Sequence, residues 1–160
     1  MLLPALEFLA GYERWGTLRI LDAADGIDAE TWARPDVVGE RGLGGVLVHH
    51  LGAYQRWRHF LSGGEEQPRP EREPLIEIAE LRARWGREWD AMDAWLRALT
   101  PTDLEQIADG TEVWKSLLHL FNHGTQHRSE VAALLTATGR SPGDLDLVDF
   151  AEGQSTSVGG

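Results

Sequence analysis

Three histidines at a spacing of four, His119, His123 and His127, fall within the single stretch from Glu112 to Arg128. Imidazole is the commonest metal-ligating side chain at neutral pH. In an α-helix, residues four apart lie on one face about 6 Å up the axis. Two imidazoles so placed can share one ion, because Zn–N bonds are about 2.0–2.1 Å. All three cannot readily do so, since the outer two stand roughly 12 Å apart along the axis. The stretch therefore offers a two-histidine clamp that needs a third ligand from elsewhere. The pair His49-His50 lies in another apolar, helix-like segment and can supply it if the two helices are neighbours. Three imidazoles with a fourth position open is the pattern of a catalytic rather than a closed structural zinc site.

Other chemistries find no footing. The 160-residue chain has no cysteine, which excludes disulfides, thiolate metal sites and a cysteine nucleophile. No Glu stands three residues before any His, so the di-iron arrangement of ferritin-like bundles is missing. There is no His-Glu-x-x-His, and the glycine run Gly42-Leu-Gly-Gly45 lacks the lysine and preceding strand of a phosphate-binding loop. A formal net charge of −11 disfavours nucleic acid and anionic membrane surfaces as partners. No apolar run has the length of a membrane span, and the N-terminus lacks the basic flank and cleavage site of a signal peptide. A cytoplasmic protein acting on a small molecule is the expectation.

The elements that must position the histidines follow from apolar periodicity. Leu2 to about Asp22 reads as a first helix, with Leu6, Leu9, Tyr12 or Glu13, Gly16 and Ile20 on one face. Thr31 to Gly45 is a long connection, suited to carrying the chain across one end of a bundle. Leu43 to Leu61 reads as a second helix, and 65–73 as an exposed, charged, proline-rich loop. Pro74 suits a first helical position, after which Leu75, Ile78, Leu81, Trp85, Trp89, Met92, Leu96 and Leu99 mark a third helix, stopped by Pro101. Thr111 is the expected N-cap of a fourth helix that runs to about Thr138. Its residues Trp114, Leu118 and Phe121 lie opposite His123, an apolar face that suggests a homodimer. No β-alternation of useful length occurs. The expected fold is all-α, a four-helix bundle over 1–150 with a loose, flexible tail over 151–160.

The residues from Leu117 to Arg128, followed by Leu134-Leu135 and by Gly139 through Leu147, resemble the DinB/YfiT-like metal-binding four-helix bundles. Tyr12 to Trp15 and Val46 through Trp57 are similar to the first and second helices of that family, which is related to thiol-dependent S-transferases and mycothiol-dependent maleylpyruvate isomerase. The resemblance implies that the metal is held by one histidine of the second helix and by the two of the Asn-His-x-x-x-His-Arg segment. Those are His49, His123 and His127. The helical wheel, by contrast, puts His50 nearer the centre of the second helix's apolar stripe. The family register is followed, with His50 as the alternative. It leaves His119 a place beside the ligands or lining the pocket, and His59 reads as surface. Tyr12, Trp15, Tyr54 and Trp57 are either core aromatics, the commoner case, or pocket walls. Arg128 either receives an anionic group or, more commonly, pairs with an acid on a neighbouring helix.

By the same resemblance the protein is a metal-dependent transferase, with zinc or nickel as the divalent ion and a low-molecular-weight thiol as cosubstrate. The thiol would come in trans, since the chain has none. The alternatives are a metal-dependent hydrolase and a non-enzymatic, stress-associated metal-binding dimer.

Overall fold

The structure, a computed structural model, describes residues 2–35, 41–65 and 68–157. Four long helices dominate it: α1 (Leu2–Ala24), α3 (Gly42–Leu61), α4 (Ile78–Ala98) and α6 (Val113–Ala137). Each buries the stripe that its periodicity marks out. Leu6, Ile20 and Leu21 face inward from α1, Leu47, Leu51 and Tyr54 from α3, Leu81, Trp85 and Met92 from α4, and Leu117, Val131 and Leu135 from α6. α6 packs against α1 and α3, and α4 packs against the same two from the other side. α1 and α3 are thus diagonal partners across the bundle, as are α4 and α6. The fold is all-α, as expected, apart from one minimal hairpin.

Two of the connections must cross the bundle, and both carry short elements. The first runs through α2 (Ala29–Ala33), capped by the Asp28 carboxylate and anchored by the buried Trp32, which packs toward α3. Residues 36–40 of this connection lie outside the described residues. The second holds α5 (Pro101–Glu105), closed by a Thr100–Asp103 capping box, and the hairpin β1 (Ile107–Ala108) with β2 (Thr111–Glu112). Asp109 and Gly110 form its turn, both at positive φ. Asp-Gly is the dipeptide that a two-residue hairpin turn of this hand favours.

Three expectations are corrected. α4 begins at Ile78 rather than at Pro74: Pro74 lies in a bend, Glu77 is extended, and the Ile76 carbonyl accepts a hydrogen bond from the buried Trp32 indole, 3.0 Å away. Thr111 belongs to the hairpin, so Glu112 takes the cap position of α6. The loop over 65–73 is not wholly exposed. A 3₁₀ turn (Pro70–Arg72) packs on α3 and buries Pro70. A further helix, α7 (Leu147–Ser157), enters the tail, and residues 158–160 lie outside the described set. Phe150 anchors this helix among Phe8, Tyr12 and Trp15, at ring-centroid distances of 5.2–6.0 Å.

The face of α6 opposite His123 is largely taken up by this chain. Phe121 is buried, and Trp114 and Leu118 are half-buried against the core. No helix among the described residues is long and apolar enough to cross a membrane.

Candidate metal centre

α3 and α6 are neighbours, and their contact brings the two histidine groups together. One ring nitrogen each from His49, His123 and His127 lies within 4.8 Å of the other two. The Nε2 atoms of His123 and His127 stand 3.1 Å apart. Two nitrogens bound at about 2.05 Å on a tetrahedral ion would be about 3.3 Å apart, so this pair is set almost at ligating distance. The His49 ring lies 5.0 Å from that of His127 and 5.8 Å from that of His123, edge-on to both. His49 and His123 are half-buried and His127 is buried.

Two carboxylates fix how these rings are turned. Glu130 Oε2 lies 2.7 Å from His127 Nδ1, and Glu71 Oε1 lies 3.0 Å from His49 Nδ1. An ionised carboxylate only accepts, so each Nδ1 carries the proton and each Nε2 keeps its lone pair. Carboxylate behind imidazole is the usual support of a metal-ligating histidine. Arg56 holds Glu71 in turn, with Nη1 donating to the same Oε1 at 3.0 Å. Gly52 of α3 makes this possible: a Cβ there would come within 2.5 Å of Glu71 Oε2.

The electrostatics favour the neutral form of His123 and His49. Burial, followed by the neighbouring imidazoles of His127, His50, His49 and His119, pulls the His123 pKa down to about 4. His49 is also lowered, with burial outweighing the upward pull of Glu71. Neutral imidazoles with free lone pairs are what a cation needs. His123 Nδ1 is buried without a hydrogen-bond partner, in keeping with a ring oriented by what its other nitrogen binds. The donor set, its spacing and the two supporting carboxylates all fit a divalent ion.

The remaining sequence candidates fall on either side of this cluster. His50, the alternative ligand, is turned away into the core, where Nε2 lies 2.7 Å from Glu13 Oε1 and the ring packs edge-on against Trp85. His119 is exposed. Its ring stands 5.8 Å from that of His123 and 5.4 Å from that of Trp57, so it borders the cluster on the solvent side. Trp57 is thus the one aromatic of the four that reaches the site. Tyr54 is core, stacked edge-on to Trp85, while Tyr12 donates to the Leu145 carbonyl and, with Trp15, packs on Phe150. His59 is half-buried beside Arg58. Arg128 pairs with an acid on a neighbouring helix, the buried Glu13 of α1.

Sequence reasoning missed Glu71, Glu130 and the role of Glu13. Glu130 carried a readable signal, standing three residues after His127 on the same helix face. Glu71 had none, since it sits in a charged loop whose docking on α3 no periodicity announces.

The whole-chain comparison agrees with this geometry. A family model, described as the DinB family, matches residues 1–158. No curated protein and no solved structure matches the sequence. With the bundle, the crossing connections and the three-histidine group in place, the chain belongs to the DinB family.

Proposed function

We propose that the protein holds one divalent ion, zinc or nickel, on His49, His123 and His127, and transfers a small thiol to an electrophile there. The observation that carries this reading is the convergence of three imidazole nitrogens within 4.8 Å, two of them backed by carboxylates. Three protein ligands leave a fourth position for substrate, which favours catalysis over a closed structural site. A divalent ion bound there would supply Lewis acidity that favours the thiolate, the nucleophilic form of a thiol.

The chain's own residues do the rest. Glu71 and Glu130 hold the Nδ1 protons and so present Nε2 of His49 and His127. Burial holds His123 and His49 toward the neutral form, and Trp57 with His119 forms an aromatic border on the solvent side. The thiol must arrive with a cosubstrate, because the sequence contains no cysteine.

The test is metal analysis of the purified protein, coupled to a thiol-consumption screen against a panel of electrophiles. The metal-loaded protein should consume thiol and electrophile in equal amounts, and the chelated protein should not. Consumption that is absent with every electrophile, or unchanged by chelation, would overturn the transferase reading.

A further inference from the structure

Behind the histidine cluster lies a second group of buried polar residues that metal binding does not use. Glu13, near the middle of α1, is fully buried, as is Thr17 one turn on, and Arg128 of α6 and His50 of α3 are each 1% exposed. The Glu13 carboxylate pairs with the Arg128 guanidinium and lies 2.7 Å from His50 Nε2. Thr17 Oγ1 donates to it at 3.3 Å. Arg128 also donates to Thr125 Oγ1 at 2.9 Å and stacks over the Tyr12 ring at 4.8 Å.

Space for this group is built into two helices. A Cβ at Gly124 would fall 2.3 Å from Glu13 Oε2, and one at Gly16 would fall 2.9 Å from Arg128 Nε. Glycine in a helix interior is unfavourable on its own account, and here both positions clear room for the same ion pair.

The placement of its members is the informative feature. His50 directly follows His49 on α3, and Arg128 directly follows His127 on α6. His49 and His127 are thus each one residue, about 100° of helix rotation, from a residue that lies against the Glu13 carboxylate. We infer that Glu13 is a positioning residue for the metal centre: by gripping His50 and Arg128 from α1, it sets the rotation of α3 and α6 and so the spacing of His49 and His127. The effect is large on the scale of a metal site. A ring nitrogen about 6 Å from the helix axis moves about 1 Å for every 10° of rotation, whereas metal–ligand distances hold to within about 0.2 Å.

This inference rests on the three-histidine reading, and cobalt(II) titration of the chelated full-length protein separates the two. Glu13→Gln keeps the shape but removes the charge. Gly16→Ala leaves every charge in place and pushes on Arg128 from α1, far from the ligands in sequence. Glu88→Gln is the control, since it breaks another buried ion pair, with Arg58, that touches none of the cluster. The expected result is cobalt affinity about tenfold or more lower in Glu13→Gln and Gly16→Ala, of the size seen when support behind a ligand is lost. The cobalt d–d spectrum should change in both, with native helical circular dichroism, while Glu88→Gln keeps native affinity and spectrum.

If Glu13→Gln does not fold, Gly16→Ala decides the question alone. Native affinity and spectrum in the folded Glu13 and Gly16 variants, or an equal loss in Glu88→Gln, would overturn the inference and leave the metal reading intact. A native protein that binds no cobalt would overturn both.

Discussion

At the scale of single residues, the site is a set of ligands and the groups that aim them. The grouping of His49 with His123 and His127 follows the family register, which alone preferred His49 to His50. The structure places His50 in the core, its Nε2 2.7 Å from the Glu13 carboxylate and apart from the three-histidine group. Replacing Glu130 or Glu71 by Gln should weaken metal binding by about ten- to a hundredfold without changing the number of ions bound. Competition with a chromogenic chelator measures this, and native affinity in both variants would remove the carboxylates from the account. Glu13 makes a separate prediction through pH. Burial alone would raise its pKa, but Arg128 and His50 outweigh burial and bring it from 4.5 down to about 2. Stability from a carboxylate lowered in this way is complete above its unfolded value and is lost as pH falls toward the folded one. The stability gap between the native protein and Glu13→Gln should therefore be constant above about pH 5 and shrink toward about pH 3. Urea unfolding at the two pH values measures the gap, and an unchanged gap would contradict the assignment.

At the scale of elements, periodicity revealed what it is able to reveal. All four long helices were legible because each repeats apolar residues over five or more turns. The short elements were not. Strands of two residues show no alternation, and only the Asp109-Gly110 dipeptide announced the hairpin. Pro74 looked like a helix start, yet it lies in a bend, and a tertiary hydrogen bond from Trp32 to the Ile76 carbonyl marks the non-helical segment that follows. α7 escaped notice because its anchor is one residue, Phe150, seated among aromatics of α1. Phe150→Ala should cost about 3 kcal/mol or more in chemical denaturation while leaving metal stoichiometry unchanged, since no ligand lies on α1 or α7. Loss of bound metal in a folded Phe150→Ala protein would mean that the α1–α7 packing reaches the site.

At the scale of the whole molecule, a charge of −11 favours cations over anions as partners, and the proposed site gathers three imidazoles at one place. Binding that is confined to the folded state must stabilise it. At a hundredfold excess over the dissociation constant the gain is about 2.7 kcal/mol, or about 5–10 °C in the melting midpoint of a chain this size. Thermal scans with and without chelator test this, and coincident midpoints would argue against a site formed only on folding.

The most direct test of the central claim is metal content per chain in the native protein, His127→Ala and His119→Ala at matched pH. The two histidines flank His123 at equal spacing, but only His127 converges with His49, while His119 turns to Trp57 and solvent. The native protein and His119→Ala should each carry one ion per chain, and His127→Ala should lose most of it. A His119→Ala protein that is empty beside a His127→Ala protein that is full would contradict the assignment.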